Sequence, residues 1–398
     1  MDGQGREGKR GKGNVESQLS RRAQPSCHCQ NVLPLKLSPP LPRAVALRAM
    51  SGLRNEGNTC FLNATLQALA ASRTMQAAAA QMVLPPKPPR PALRARLLAK
   101  LHLADDERRR AFALPVWKEL KSLLALLRAD NADRRGAASA SRLAAAVDAA
   151  VLAGRAQQDA HEAYLVLVQK LEEEMAAVAV RATSLAGGTA AALAASPRRL
   201  RLPVAGLVGG MWTCAVCGFT STLTCQQVHD ISVAVPASGR LPDAVRRAMA
   251  DVPLDGVRCD VCVAAAERAG RPDAQDVRVR ATKSTRLVRV PPLLCIHVQR
   301  VTISPTSGTA VKDSRPLAFP LQLDLSATLG SLASADEQLD LVAVVCHRGS
   351  ASSGHYIAYR QLSDGRWALF SDAVVRPVPI ETVLADQAYM LLYERHAA

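Results

Sequence analysis

Two short segments at opposite ends of the chain constrain its fold more than any other feature: GLRNEGNTCFLNATLQ at 52–67 and SGHYIAYR at 353–360. The first places Cys60 after a Gly/Asn/Thr stretch and at the start of a helix-compatible run, where backbone N–H groups and the helix dipole favour a thiolate. The second places His355 behind Gly354, whose missing side chain allows close backbone approach, and at the head of an alternating, strand-like run. A thiol nucleophile and an imidazole base work together only within hydrogen-bond reach. A chain that uses both must therefore fold its first helices onto its last strands.

The hydrophobic period agrees with that demand. Residues 61–80 are helix-compatible, the proline run PPKPPRP at 85–91 ends any continuation, and WKELKSLLALLR at 117–128 has helical apolar spacing. Residues 159–175 repeat that spacing with Tyr164, Leu165, Val168 and Leu171 near one face, and the alanine-rich stretch 176–200 reads as a further helix or an inserted surface segment. Beyond it the period changes to that of strands at 220–235, 284–303, 339–347 and from HYIAYR through WALFSD. Helices first and strands later predict an α+β fold. Residues 1–50, rich in Gly, Pro and Ser, read as a flexible basic leader, with the folded domain spanning 51–394.

The net charge of +16 raises the question of a nucleic-acid partner, but the arginines are spread over the leader, 90–110 and 268–300, and no reader module is present. No specific nucleic-acid partner is inferred. No run of eighteen or more apolar residues is present, so no transmembrane segment is expected. Ten scattered cysteines in 398 residues do not make a disulfide scaffold and point to a reducing compartment, cytoplasmic or nuclear. Among them Cys214-x-x-Cys217 and Cys259-x-x-Cys262 supply four thiolates, enough to close a tetrahedral structural Zn²⁺ site with no open coordination position. Cys27-His28-Cys29 lacks a second local pair and is a weak metal motif. No organic cofactor is expected.

Taken together, the cysteine and histidine segments, QQDAHEAYLVLVQKLEEE at 157–174, WTCAVCG at 212–218 with CDVC at 259–262, and GRWALFSDAVV at 365–375 make the chain resemble the ubiquitin-specific proteases, a papain-like family of deubiquitinating enzymes. The resemblance implies a helical thumb at about 51–200 carrying Cys60, a palm at about 201–394 carrying His355, and fingers bearing the zinc at their tip. It implies hydrolysis of ubiquitin's C-terminal amide or isopeptide bonds, with ubiquitin and ubiquitinated proteins as partners. A noncatalytic ubiquitin-binding scaffold and a protease for another ubiquitin-like modifier are the alternatives. Residue by residue, Asn55 matches the family's oxyanion-stabilising amide and Asp159 the carboxylate facing the arginine-rich ubiquitin tail, with Glu162 beside it. Gly354, Tyr356 and Tyr359 fit a narrow approach to the scissile bond. The third triad position departs from the usual Asp or Asn: alignment puts Ser371 there and Asp372 one residue later. Ser371 is the expected orienter of His355, with Asp372 supporting the cleft or holding nearby donors. A subset of the family shares this serine, including relatives at the mitochondrial outer membrane, so association with that surface is a further expectation.

Overall fold

The computed structural model describes residues 50–82, 114–128, 136–152, 158–185, 201–329 and 338–396, all of them within the unit Pro42–Ala398. The expected leader up to residue 49, its Cys27-His28-Cys29 motif, the proline run at 85–91 and residues 186–200 lie outside the described residues.

The predicted helix over 61–80 is two helices, α1 (Cys60–Ala71) and α2 (Arg73–Gln81), because Ser72 adopts an extended conformation and its hydroxyl caps the Met75 N–H. The carboxylate of Glu394, buried in the last strand, accepts from the Ser72 hydroxyl at 2.6 Å and the Thr74 N–H at 2.7 Å, which pins the start of α2 to the sheet. Three further helices follow among the described residues: α3 (Pro115–Arg128), α4 (Ser141–Leu152) and α5 (Ala160–Leu185). The last runs through the first part of the ambiguous alanine-rich stretch.

α1 is buried almost end to end, so its polar residues must find partners in other elements. Thr65 donates to the Ala160 carbonyl at the start of α5, and Gln67 donates to the Ser51 carbonyl while accepting from Arg360 at 2.9 Å. Asn63 donates to Asp372. These bonds fix the rotation of α1 about its axis, and with it the direction of Cys60.

The strands form two sheets and a hairpin. The larger sheet has the order β13-β12-β11-β10-β14-β6-β3, built from β3 (Asp230–Val233), β6 (Leu293–Val298), β10 (Gln338–Gly349), β11 (Gly354–Gln361), β12 (Trp367–Ser371), β13 (Val374–Val378) and β14 (Ala388–Arg395), with β9 (Gln322–Asp324) beside β10. All its pairings are antiparallel except β3 with β6. Its central strands are covered on both faces, which is why LLCIHV and AYMLLYER read as nearly continuous apolar runs. One face packs on the helices through Tyr356, Ala358 and Phe370; the other closes over a second core with Ile357, Tyr359 and Leu369.

The smaller sheet, of order β2-β1-β5-β4, consists of β1 (Gly206–Cys214), β2 (Thr224–Val228), β4 (Val252–Val257) and β5 (Val279–Arg289). Here the run predicted at 220–235 divides between the two sheets, at β2 and β3. Helix α6 (Leu241–Ala248) packs against β3, and α7 (Asp260–Arg268) starts immediately after Cys259. β7 (Val301–Ile303) and β8 (Ala310–Lys312) form the separate hairpin. The α+β organisation expected from the change of period is present, with α1 lying against β11.

Candidate active site

Cys60 opens α1 and is 3% exposed. The backbone N–H of Tyr356, the residue after His355, reaches its sulfur, so helix and strand meet at the two ends that the sequence singled out. The N–H groups of Tyr356 and Phe61 favour the thiolate, as expected of a helix N-terminus, but they do not decide the balance. Burial is the largest influence and the Asp372 charge adds to it, so the Cys60 thiol lies above its ordinary range. The resting sulfur needs a base.

His355 is held from the strand side. Its Nε2 lies 2.9 Å from the Ser371 hydroxyl, because antiparallel pairing of β11 with β12 brings the start of one strand to the end of the other. Gly354 is required here: any Cβ would collide with the His347 ring and the Arg348 carbonyl.

Asp372 turns away from the imidazole. It takes a left-handed conformation, φ 49°, which reverses the chain between β12 and β13 and sends its carboxylate toward the cysteine loop. Oδ2 accepts from Asn55 Nδ2 at 2.9 Å, Oδ1 accepts from Asn63 Nδ2 at 2.8 Å, and the Asp372 carbonyl accepts from the Leu53 N–H at 2.9 Å. The loop is seated closely because Gly52 has no side chain to strike the Asp372 and Ala373 carbonyls. The Asn55 Oδ1 accepts from the N–H groups of Gly57 and Thr59, which fixes which end of the amide faces Asp372.

The expected substrate-facing residues divide. Asp159 is the N-cap of α5: Oδ1 accepts from the His161 N–H at 2.7 Å and the Glu162 N–H at 3.1 Å, while Oδ2 accepts from the phenols of Tyr356, at 3.1 Å, and Tyr389. Burial and the Asp159 charge raise both phenol pKa values, so both remain donors. Glu162 is exposed on the first turn of α5. Tyr359 corrects the sequence reading. Three residues beyond Tyr356, it falls on the opposite face of β11, buried in the second core with its hydroxyl on Asp386 at 2.8 Å. It does not share a wall with Tyr356.

Behind Asp159, the His161 and His297 rings stack at 3.8 Å and 11°, His161 pairs with Asp230 at 3.1 Å, and His297 meets the Tyr389 ring edge-on. Near-parallel rings point their nitrogen lone pairs side by side rather than at one centre, so this trio is a poor chelating set. It backs the Asp159 and Tyr389 wall. The sequence reading missed Asn63, Tyr389 and this trio. Asn63 had one available signal, a carboxamide one turn after Cys60 in a mainly apolar helical run.

At the far end of the smaller sheet, the sulfurs of Cys214, Cys217, Cys259 and Cys262 lie within 4.8 Å of one another, with Cys214–Cys262 at 3.7 Å and Cys217–Cys259 at 3.6 Å. These separations are far too long for disulfides and match the edge, roughly 3.8 Å, of a tetrahedron with ~2.3 Å Zn–S bonds. The thiols also compete for ionisation. The Cys217 N–H draws Cys214 down to about 7, whereas burial and the neighbouring sulfurs push Cys262 up to about 12. A cation at the centre would relieve that competition, and the donor set fits zinc. Cys225, exposed on β2, stands apart from the four.

Residues 51–393 match the family model described as "Ubiquitin carboxyl-terminal hydrolase". The chain is 28% identical over 390 residues to human ubiquitin carboxyl-terminal hydrolase 21, covering 86% of this chain and 61% of that protein. It is 26% identical over 369 residues to ubiquitin carboxyl-terminal hydrolase 2 of Bos taurus, covering 87% and 55%. It thus spans little more than half the length of these curated relatives. Among solved structures, a chain of the SAGA DUB module bound to monoubiquitin superimposes with a TM-score of 0.61 at 20% identity, covering 90% of this chain and 72% of that one. A SAGA DUB module bound to ubiquitin aldehyde gives 0.60 at 19% identity, with coverage of 90% and 72%. The fold is therefore that of these deubiquitinating modules.

Proposed function

Because the chain belongs to the ubiquitin carboxyl-terminal hydrolase family, we propose that it cleaves the amide or isopeptide bond after the C-terminal glycine of ubiquitin. Its partners would be ubiquitin and ubiquitinated proteins, with residues 51–200 as the thumb and 201–394 as palm and fingers. The observation that carries this reading is the joining of His355 with Ser371 and of Asn55 with Asp372 beside the buried Cys60 sulfur.

With His355 Nε2 engaged by Ser371, Nδ1 is the nitrogen that takes the Cys60 proton. The thiolate attacks the glycine carbonyl carbon, and the carbonyl oxygen gains the negative charge. Asn55, whose Nδ2 has one N–H on Asp372, offers the other to that oxygen, together with backbone donors at the start of α1. As the tetrahedral intermediate collapses, His355 delivers its proton to the leaving lysine amine, and ubiquitin remains joined to sulfur as a thioester. Water, deprotonated by His355, then attacks the thioester and releases the ubiquitin carboxylate with the thiol restored. Ser371 orients the imidazole. Asp159, Glu162, Gly354 and Tyr356 line the approach of the ubiquitin tail; Tyr359 supports it from the far face of the sheet.

Zinc, when bound, would be held by Cys214, Cys217, Cys259 and Cys262. It would order the fingers and supply no step of the reaction, since four thiolates leave no open position. A thiol nucleophile and four unoxidised ligands suit a reducing compartment, cytoplasmic or nuclear. No helix among the described residues is long and apolar enough to cross a membrane.

The test is incubation with ubiquitin bearing an electrophile at its C-terminus, followed by intact mass measurement. One adduct should form on the wild type and none on Cys60→Ser. Capture of another modifier's probe in preference to ubiquitin's would reassign the substrate, and binding without any adduct would favour a noncatalytic scaffold.

A further inference from the structure

We propose that Asn63 is a positioning residue of the oxyanion site, acting through Asp372 on Asn55. The proposal rests on the hydrolytic reading above. Asn63 lies one turn after Cys60 on α1 and is 2% exposed. Its Nδ2 donates to Asp372 Oδ1 at 2.8 Å and to the Arg54 carbonyl at 3.1 Å. The other Asp372 oxygen accepts from Asn55 at 2.9 Å. One carboxylate thus joins a buried amide, fixed to a core helix, to an exposed amide on a surface loop.

The need for that anchor follows from the geometry. Asn55 is exposed and its amide is held by hydrogen bonds: Oδ1 by the Gly57 and Thr59 N–H groups of its own loop, and Nδ2 by Asp372, so the direction of its second N–H depends on how firmly Asp372 and the loop are held. Asp372 is itself only partly buried, and a carboxylate bonded through one oxygen can turn about its Cβ–Cγ bond. Asn63 fixes the second oxygen, and through Arg54 it fixes the backbone just before Asn55. A merely space-filling residue at this point would be apolar. Asn63 instead carries a buried Oδ1 with no hydrogen-bond partner among the described residues, an unfavourable arrangement that leucine of similar volume would remove. Its polarity is explained by what Nδ2 holds.

The experiment compares wild type, Asn63→Leu, Asp372→Ala and the double variant in the full chain. Three quantities are read: affinity for ubiquitin, affinity for ubiquitin aldehyde, and the single-turnover rate of amide cleavage. The aldehyde forms a tetrahedral adduct whose oxygen occupies the oxyanion position, so it reports on Asn55 whereas ubiquitin alone does not. Asn63→Leu should lower the cleavage rate and the aldehyde affinity together, by roughly 10- to 100-fold, a part of the loss expected for deleting an oxyanion donor outright. Ubiquitin affinity should stay within about threefold. In the Asp372→Ala background the same change should cost little more, since the path it acts through is already cut. An unchanged rate, parallel loss of ubiquitin and aldehyde affinity, or losses that multiply in the double variant would overturn the proposal. If Asn63→Leu fails to unfold cooperatively, Asn63→Ala is read against the same outcomes. A wild type that forms no aldehyde adduct would instead overturn the functional reading; an active wild type with an equally active Asn63→Leu would overturn only this inference.

Discussion

The Asp372 carboxylate lies 2.9 Å from the Asn55 amide, while His355 is met by the preceding residue, Ser371. Two neighbours in sequence therefore face two different steps: Ser371 the proton transfer and Asp372 the charge that develops on oxygen. The left-handed turn at Asp372 is what separates them, since it redirects one side chain without moving the other off the strand.

The two roles have different kinetic signatures. Ser371→Ala should lower the single-turnover rate by about tenfold, through a less well oriented imidazole, and reshape its pH profile. Asp372→Ala should lower it by roughly 10²–10³-fold through release of Asn55, with ubiquitin affinity nearly unchanged in both variants. Burial is the main reason the Cys60 thiol is raised and the Asp372 charge adds to it, so Asp372→Ala should let Cys60 react with iodoacetamide at somewhat lower pH even as turnover falls. Slower alkylation across the whole pH range would contradict this assignment.

Much of this arrangement was legible in the sequence, and the remainder was hidden for physical reasons. Cys60 and His355 stood out because each heads a regular element and is preceded by residues that permit close approach. The division between Ser371 and Asp372 was readable from the alignment, but the partners Asp372 holds, Asn55 and Asn63, were not, because a positive φ at Asp372 aims its carboxylate at a loop and a helix far away in sequence. Asn63 passed unnoticed because an amide in a helical run ordinarily faces water, and only the burial of α1 on nearly all sides gives it meaning. Tyr359 was misplaced by counting two tyrosines as one wall, although a spacing of three residues on a strand reverses the face. Asp159 was expected to meet the substrate, and its work as a helix cap is a local bond that the motif does not advertise.

The four-cysteine cluster predicts a metal content. Protein purified without chelator should hold about one zinc per chain, and Cys262→Ser should lose it along with ordered fingers. Cys225→Ser, which alters an exposed thiol outside the cluster, should leave the zinc in place. Metal content unaffected by Cys262→Ser would place the ion elsewhere.

The bond between Gln67 and Arg360 should matter to stability rather than chemistry. Arg360 is 5% exposed, and its guanidinium donates to Gln67 at 2.9 Å and to the Leu127 carbonyl at 3.1 Å. Gln67→Leu takes one acceptor from a buried cation and leaves the Ser51 carbonyl without its donor, at a cost of about 2–3 kcal/mol. Urea unfolding should show this as a lower midpoint at constant slope. A change under about 0.5 kcal/mol, the range of ordinary surface substitutions, would mean that water or another group replaces Gln67 at little cost.

Acid should weaken the fold through His297. Burial is the main cause that lowers its pKa from the ordinary 6.5 to about 4, with the stacked His161 adding to it and the Asp159 and Asp230 carboxylates opposing it. In the unfolded chain the same imidazole takes its proton near 6.5, so between that value and 4 the unfolded state binds more protons and stability falls as pH falls. Asp230 does not confuse this window. Burial would raise its pKa, but His161 holds it below the ordinary 3.8, so its own contribution is lost only at lower pH. Thermal unfolding followed from pH 6.5 down to 4 should therefore show a falling Tm in the wild type and a shallower fall in His297→Phe, which keeps an aromatic ring against Tyr389 but cannot titrate. Equal slopes in the two proteins would remove His297 from the account of acid sensitivity.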